Sequence, residues 1–458
     1  MFSLLLISFS IAAEPPDRAW RYPNYDILNS NVYPYPSRKI HELGFDTVST
    51  NLWRREDPSV ILSGDINGDN HLEICVSVKH YVEIYSANLE YLRRVNPLSH
   101  SVMFSALDDT DDDGVPEIIV SANEMEMNSV VSYNYDGSSR IIFTEAHKSE
   151  TYFSPLFVSN GGDLISFATT GYDRKPRGIF CHDIKSEMRK WYYDVGFINP
   201  IYSKILSAGD INNDGLLEMS LFNFGPENGA VGLGGPAGGT LTYDDCTYTI
   251  IINENGEELY TIRESNKSNN GQYAVFVKFH PDSAYSLLCF NSANNAWRPL
   301  SPSKILIRDA LTGELRHTFY GKTRGWLNCV ACDINGDGFK EVVVSYFDNH
   351  LRVEQGIYDI NTFILDHRLE ILRSSNDIPA VIECANDIDG DGKVEIICRN
   401  DYELFVIDDE LKVIAKCGFS DNFHSNMVIV DADEDELNEI YLATKELLYK
   451  IEFVETIK

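Results

Sequence analysis

The sequence is short of positive charge. Only 38 of its 458 residues are Lys or Arg, against 70 Asp or Glu, and the formal net charge is −32. Proteins that bind the phosphate backbone of DNA or RNA neutralise it with Lys and Arg side chains. We therefore expect no nucleic-acid partner.

Long apolar runs are also missing. Beyond the first residues, no stretch approaches the roughly 18 consecutive apolar residues of a membrane-spanning helix, so no transmembrane span is expected. The shorter apolar run of residues 2–13 ends near a small-x-small pattern, Ser10-Ile-Ala12, that is typical of a signal-peptide cleavage site. We interpret residues 1–13 as a signal peptide rather than a buried strand, and we expect a secreted, periplasmic or cell-surface protein.

Motifs of common catalytic sites are absent as well. The chain has no Gly-x-Ser-x-Gly, no His-Glu-x-x-His and no phosphate-binding loop, so no catalytic residue is predicted. Cys329 and Cys332 have the spacing of a redox or zinc pair. Because residues three apart in a strand point to opposite faces, we expect neither role.

Six nine-residue segments with one pattern dominate what the sequence does contain. Each has Asp at position 1, Asp or Asn at position 3, Asp at position 5 and Glu at position 9. Four have Gly at position 6, where a sharp turn needs a residue that takes positive φ easily, but Asn70 and Glu436 replace it in the first and last copies. We call these segments loops 1 to 6, and in chain order they are Asp65–Glu73, Asp109–Glu117, Asp210–Glu218, Asp333–Glu341, Asp387–Glu395 and Asp431–Glu439.

This pattern is typical of a calcium site. Calcium takes six to eight oxygen ligands at about 2.3–2.6 Å, and short acidic and amide side chains at alternate positions of a tight loop converge on one point. No His or Cys stands at a ligand position, which argues against zinc and copper, and magnesium resists an all-protein cage. An ordinary solvated turn explains a single copy equally well. Six copies with the same closing acid instead favour calcium.

We therefore predict up to six bound Ca²⁺ ions, with weaker binding or none in loops 1 and 6. The predicted ligand side chains are Asp65, Asn67, Asp69, Glu73, Asp109, Asp111, Asp113, Glu117, Asp210, Asn212, Asp214, Glu218, Asp333, Asn335, Asp337, Glu341, Asp387, Asp389, Asp391, Glu395, Asp431, Asp433, Asp435 and Glu439.

The residues beside the loops indicate strands rather than helices. An EF-hand places its closing Glu at position 12 between two helices. Here the Glu is at position 9, and the flanks are short β-branched runs such as Ile74–Val78 and Val342–Val344. Each loop is therefore expected to join two β-strands.

The spacing of the loops predicts the fold. Successive loops begin 44, 101, 123, 54 and 44 residues apart, and about 40 to 50 residues is the length of one four-stranded propeller blade. The two long gaps hold one degenerate unit each, at Phe157–Phe167 and Val275–Cys289. We predict an all-β propeller of eight four-stranded blades, with seven as the alternative if one gap is only an insertion.

The last blade is predicted to borrow a strand. Leu447–Phe453 begins its third strand, and too few residues follow for a fourth. Residues 39–45 or 46–50 are available to close the ring and leave no open edge. In the sixth blade the third strand is predicted at Gly356–Asp359. The expected organisation is a signal peptide at 1–13, an extended arm with the ring-closing strand at 14–57, and a propeller at 58–458.

The loops resemble the calcium-binding FG-GAP or VCBS repeats found in integrin α-subunit propellers and in many bacterial surface proteins. The resemblance covers roughly residues 58–458 and implies that positions 1, 3, 5 and 9 of each loop supply ligands. The chain departs from the family in two ways. It has no repeated Phe-Gly or Gly-Ala-Pro signature, and it closes each loop with Glu where the family often has Asp. The resemblance therefore implies the scaffold and not the integrin function.

Two functions are consistent with the sequence. We favour a non-catalytic exported module that binds a glycan or protein, with a cell surface as one expected setting. Candidate sugar platforms, each also a candidate core residue, are Trp53, Trp191, Tyr192, Tyr193, Trp297 and Trp326. The alternative is a lyase-type polysaccharide enzyme, which requires a basic residue and a His or Tyr at one mouth of the channel, for instance from Arg324, His182 or His424.

Overall fold

The computed structural model describes the chain in segments. They are residues 37–38, 40, 43–51, 58–78, 81–95, 102–123, 127–146, 151–159, 162–170, 178–194, 207–222, 248–263, 272–291, 303–321, 326–347, 360–423 and 425–455. The predicted signal peptide lies outside these residues. Every regular element within them is a β-strand, and in this part of the chain no helix is long and apolar enough to cross a membrane.

In the described segments, thirty-two strands form eight four-stranded antiparallel sheets, arranged as an eight-bladed β-propeller. The first four blades are blade 1 with β2 (Pro58–Gly64), β3 (Glu73–Val78), β4 (Tyr81–Tyr85) and β5 (Tyr91–Val95); blade 2 with β6 (Val102–Asp108), β7 (Glu117–Asn123), β8 (Met127–Tyr133) and β9 (Ser139–Ala146); blade 3 with β10 (Thr151–Val158), β11 (Asp163–Thr170), β12 (Gly178–Asp183) and β13 (Met188–Asp194); and blade 4 with β14 (Ser207–Gly209), β15 (Glu218–Phe222), β16 (Tyr248–Asn253) and β17 (Glu258–Arg263).

The other four complete the ring. They are blade 5 with β18 (Gln272–Val277), β19 (Ser286–Asn291), β20 (Lys304–Asp309) and β21 (Leu315–Tyr320); blade 6 with β22 (Trp326–Cys332), β23 (Glu341–Phe347), β24 (Ile360–Leu365) and β25 (Ile371–Ser375); blade 7 with β26 (Val381–Asn386), β27 (Glu395–Arg399), β28 (Glu403–Ile407) and β29 (Val413–Gly418); and blade 8 with β30 (Val428–Val430), β31 (Glu439–Ala443), β32 (Leu447–Glu455) and β1 (Leu43–Asn51).

The ring is closed by β1, as the sequence predicts. This strand pairs with β32 over nine positions, from Leu43 opposite Glu455 to Asn51 opposite Leu447. The rings of Phe45 and Phe453 lie 5.4 Å apart across the pair. The chain thus completes its last blade with an early strand, and β32 is paired on both of its edges.

The prediction of eight blades is confirmed. The two degenerate units are real blades, because their first and second strands are β10 and β11 in blade 3 and β18 and β19 in blade 5. The predicted third strand of blade 6 is wrong. Residues 356–359 lie outside the described residues, and the strand that pairs with β23 is Ile360–Leu365. The Ile-Tyr pair at 357–358 is too short to supply the six paired positions that this later run provides.

The core lies between the faces of neighbouring blades. One cluster joins Val330 and Val343 of blade 6 to Ile396 of blade 7, and another joins Ile119 of blade 2 to Phe180 of blade 3. The second and third strands are almost wholly buried, whereas the outer strands such as β5 and β25 are largely exposed. Each blade is therefore held mainly by its neighbours.

Side-chain hydrogen bonds fix the inner strands of adjacent blades. The Asn426 amide donates to the carbonyl of Ile61 (3.0 Å) and accepts from its N–H (2.6 Å), which links blade 8 to blade 1. Asn328 and Ser345 of blade 6 bind the carbonyl and N–H of Ile382 in blade 7, at 2.6 and 3.0 Å. These contacts set the register between blades at the inner edge of the ring.

Candidate metal centres

All six acidic loops join the first strand of a blade to its second strand, in blades 1, 2, 4, 6, 7 and 8. Loops of adjacent blades touch through position 4 of one and position 7 of the next. A Cβ built on Gly68 would lie 3.1 Å from Val115 Cγ2, and His71 Nδ1 lies 3.4 Å from Glu434 Oε1. The loops therefore occupy one face of the disc.

The backbone of each loop wraps around its first aspartate. In every copy the N–H at position 5 donates to the position-1 carboxylate, and the N–H at position 7 donates to the position-5 carboxylate. The first set of bonds spans 3.0–3.2 Å, and the second spans 2.8–2.9 Å. The six loops therefore share one fold.

The residue at position 6 adopts a left-handed conformation whatever its identity. The four glycines have φ of 88° to 92°, while Asn70 has 68° and Glu436 has 71°. Side chains are strained in this region, Asn less than Glu. Loops 1 and 6 thus keep the turn despite lacking glycine.

The closing glutamate is buried in every loop. One of its oxygens accepts the N–H of position 2, at 2.7–3.2 Å, in pairs Ile66–Glu73, Thr110–Glu117, Ile211–Glu218, Ile334–Glu341, Ile388–Glu395 and Ala432–Glu439. These six carboxyls are 1–4% exposed. In loops 1, 3 and 4 the second oxygen accepts from the position-3 side chain inside the loop.

Burial raises the pKa of these carboxyls, and the neighbouring loop aspartates add to the effect. The pKa of Glu73 and Glu341 rises to about 7, that of Glu395 to about 8 and that of Glu439 to about 9. The pKa values of Glu117 and Glu218 are raised for the same reasons. A buried negative charge of this kind is unfavourable without a compensating cation.

Loops with Asp at position 3 bring their carboxylates together. Ligand atoms lie within 4.8 Å of one another in loop 2 (Asp109, Asp111, Asp113, Glu117), loop 6 (Asp431, Asp433, Asp435, Glu439) and loop 5 (Asp387, Asp389, Glu395). Asp391 of loop 5 is not part of its group. An all-oxygen set of this size and net charge fits a hard divalent cation such as Ca²⁺.

In loops 1, 3 and 4, position 3 is Asn, and its amide nitrogen takes the central place. Asn67 Nδ2 donates to Glu73 Oε1 at 2.7 Å and to Asp69 Oδ2 at 3.0 Å. Asn212 and Asn335 donate to their closing glutamates at 3.1 and 3.2 Å. The Oδ1 of each Asn accepts the N–H of position 5 at 2.8 Å, so in these three loops the amide nitrogen, and not an oxygen, faces the closing glutamate.

The N-terminal arm contacts two of the loops, which the sequence did not indicate. The N–H groups of Ser37 and Ile40 donate to the carbonyls of Asp387 (2.9 Å) and Asp389 (2.7 Å) in loop 5. The N–H of Arg38 donates to the carbonyl of Glu436 (2.7 Å) in loop 6. A short segment before β1 therefore ties the two loops together through backbone bonds that side-chain patterns do not reveal.

The candidate sugar platforms on β13 lie between blades 3 and 4. Trp191 Nε1 donates to the carbonyl of Glu254 (2.8 Å), and Tyr193 donates to Glu258 (2.6 Å). Tyr192 stacks on Phe180. Their role here is packing. Trp53 and Trp297 lie outside the described residues, and Trp326 begins β22.

Of the three residues named for catalysis, only His182 is described. It is buried on β12, stacks on Phe143 at 3.6 Å between ring centroids and lies 3.5 Å from Glu145. These contacts enclose the ring, so His182 is a packing residue. Arg324 and His424 lie outside the described residues.

The cysteines behave as apolar core residues. Cys329 packs into the cluster shared by blades 5 and 6, whereas Cys332 packs into that shared by blades 6 and 7. The two thiols thus point to opposite faces of blade 6, as predicted. Burial raises the pKa of the Cys332 thiol far above its ordinary value, which makes it unreactive.

Comparisons with known proteins identify the fold alone. No family model matches the chain, and no curated protein matches it. It is similar to the quinohemoprotein alcohol dehydrogenase ADHIIG from Pseudomonas putida, with 9% identity, a TM-score of 0.62, and coverage of 96% of this chain and 81% of that one. It is also similar to the quinohemoprotein alcohol dehydrogenase from Comamonas testosteroni, with 8% identity, a TM-score of 0.62, and coverage of 96% of this chain and 81% of that one. The similarity to BamB from Moraxella catarrhalis has 11% identity, a TM-score of 0.54, and coverage of 90% of this chain and 100% of that one.

Proposed function

We propose that this protein is an exported, calcium-braced β-propeller that acts as a non-catalytic binding module for a glycan or a protein. Its loops would be FG-GAP or VCBS-type repeats. The observation that carries the proposal is the shared geometry of the six loops. In each, a buried glutamate closes a loop whose backbone wraps around the position-1 aspartate, and in loops 2, 5 and 6 at least three carboxylates also converge within 4.8 Å.

The energetics of the loops support calcium as the ion. The closing glutamates are buried, and in the metal-free protein the pKa values of Glu73, Glu341, Glu395 and Glu439 are raised to between about 7 and about 9. A divalent cation would offset the repulsion within each group and let the carboxylates ionise. Up to six ions would bind, and each would fix the connection between the inner strand of a blade and its neighbour.

Bracing of this kind suits a binding role. A propeller is rigid, and ligand contacts on rigid scaffolds are usually made by connecting loops. With the six acidic loops committed to one face, the connections of the opposite face remain for ligand contact. The apolar run of residues 2–13 supports export, and the millimolar calcium outside cells would fill even weak sites.

Three measurements test the proposal, and a fourth tests the lyase alternative. Elemental analysis of the purified protein should find calcium, and removal of calcium with EGTA should lower the melting temperature by many degrees. An unchanged melting temperature together with no bound calcium would contradict the proposed calcium binding. A glycan and protein binding screen, run with calcium and with EGTA, should give ligands that bind only in calcium. New ultraviolet absorbance on incubation with acidic polysaccharides would instead show lyase activity.

A further inference from the structure

A lysine ammonium is buried beneath loop 6. Lys450, in β32, is 1% exposed, and its Nζ lies 2.7 Å from Asp433 Oδ2, 2.8 Å from Glu452 Oε1 and 3.5 Å from Asn88 Oδ1. An ammonium has three N–H donors, so these three acceptors satisfy it. The side chain is therefore a fixed positive charge and not a solvated one.

This position is special to blade 8 among the six blades with an acidic loop. Lys450 pairs across the sheet with Tyr441, two residues after the closing glutamate. The residues at the matching position of the other five blades carry no charge; they are Ile84, Ser132, Ile251, Ile364 and Val406. A cation here is thus not a requirement of the blade.

The ammonium binds a carboxylate that a metal ion in loop 6 would need. Asp433 is the position-3 residue and one of the four acids whose ligand atoms lie within 4.8 Å of one another, and its Oδ2 accepts from Lys450 Nζ. In loop 1 the position-3 side chain carries its own N–H donor, since Asn67 Nδ2 donates to Glu73 Oε1. A calcium ion on Asp433 Oδ2 would lie roughly 4–5 Å from Nζ, given ordinary Ca–O distances. At a buried position two like charges at that separation repel strongly.

We propose that Lys450 is a built-in cation that takes the place of calcium in loop 6, so that the ring-closing blade keeps its loop folded without a metal. Loop 6 contains six acids in nine residues, yet the ammonium already neutralises part of that charge from inside. Calcium then occupies at most the other five loops. This inference rests on the proposed calcium binding for its metal count, but not for the role of Lys450 in the metal-free protein.

The test compares Lys450→Met with a matched control, Ile364→Met, which changes the equivalent buried position of blade 6. Chelator-treated proteins are titrated with calcium, and bound ions are counted by native mass spectrometry and calorimetry. We expect Lys450→Met to bind one ion more than the wild type, with about a tenfold or greater gain in affinity at that site. Asp431→Asn should remove this extra ion from Lys450→Met and leave the wild-type count unchanged.

Melting in EGTA supplies a readout independent of calcium binding. Lys450→Met should melt about 3–5 °C below Ile364→Met, because Asp433 and Glu452 lose their counter-charge. Added calcium should then raise the melting temperature of Lys450→Met more than that of the wild type. Loss of one ion from the wild type on Asp431→Asn would overturn the inference, as would equal melts of Lys450→Met and Ile364→Met in EGTA. If no variant binds calcium but the EGTA difference appears, the proposed function fails and the role of the ammonium stands.

Discussion

The indole ring of Trp191 in blade 3 lies directly against Gly256, in the turn between β16 and β17 of blade 4. A Cβ built on Gly256 would lie 2.7 Å from Trp191 Cδ2, and the glycine has φ of +78°. The indole also donates to the carbonyl of Glu254 in the same turn. The turn of one blade is thus shaped to receive the aromatic ring of the previous one.

We therefore expect Gly256→Ala to destabilise the protein by about 2–4 kcal/mol, since it combines backbone strain with a clash against a rigid ring. The control is Gly338→Ala, where φ is +90° but no atom lies within 4 Å of the added Cβ. That change should cost only about 1 kcal/mol. Urea unfolding in saturating calcium measures both. Equal losses would show that Trp191 moves aside without penalty.

Replacing Glu436 by glycine should stabilise loop 6. This glutamate holds a left-handed φ of 71°, where glycine is unstrained, and its own backbone bond to Arg38 would be retained. Glycine also raises the entropy of the unfolded chain, which offsets part of this relief of strain. We expect the free energy of unfolding to rise by about 0.5 kcal/mol. Asn70→Gly in loop 1 should gain less, because Asn tolerates this region. A loss of stability in the Glu436 variant would contradict the strain.

Glu395→Gln should have opposite effects with and without calcium. In EGTA at pH 9 the wild type must bury an ionised carboxylate, and Gln keeps the acceptor for the Ile388 N–H without the charge. The variant should therefore be more stable by roughly 1–3 kcal/mol. In calcium it should be less stable, because a ligand oxygen is weakened. Glu410→Gln, a surface change in the same blade, is the control and should shift both melts little. The same sign in both conditions would contradict a metal role for Glu395.

The metal-free protein should lose stability as the pH rises. The folded-state pKa values of Glu73, Glu341, Glu395 and Glu439 lie at about 7 to 9, above the ordinary value of 4.5. A carboxyl with a raised folded pKa stabilises the fold below 4.5, and that contribution is lost as the pH rises towards and through its folded pKa. Melting temperatures in EGTA should fall between pH 6 and pH 9. With calcium bound the fall should flatten, and parallel curves would argue against cation binding at these carboxyls.

Much of this architecture follows from the sequence because it repeats. The loop spacing predicts the number of blades. The last blade has too few residues for a fourth strand, which predicts that a strand from residues 39–45 or 46–50 closes the ring, and the observed strand is Leu43–Asn51. Local chemistry also fixes each loop, since its hydrogen bonds run between residues a few positions apart. Weaker calcium binding is predicted for loop 6 because Glu436 replaces glycine at position 6. The turn is nevertheless formed there, with Glu436 at a φ of 71°.

What the sequence did not reveal depends on contacts between distant strands. Lys450 becomes notable only when the register of β31 and β32 places it under Asp433, eleven residues beyond the end of the loop. The arm at Ser37–Arg38 acts through backbone bonds, which any sequence could make. Trp191 is a candidate ligand platform in the sequence because its actual neighbour, Gly256, lies in the next blade and 65 residues later in the chain.

The pairing of β1 with β32 sets a condition on how the protein is made. One of the earliest described strands to leave the ribosome pairs with the last described strand, so closing the ring requires a contact of very long sequence separation. Until then, blade 8 carries an open sheet edge that invites pairing with other chains. A nascent or truncated chain that lacks β32 therefore exposes this edge, and the edge is paired only when β32 has been made.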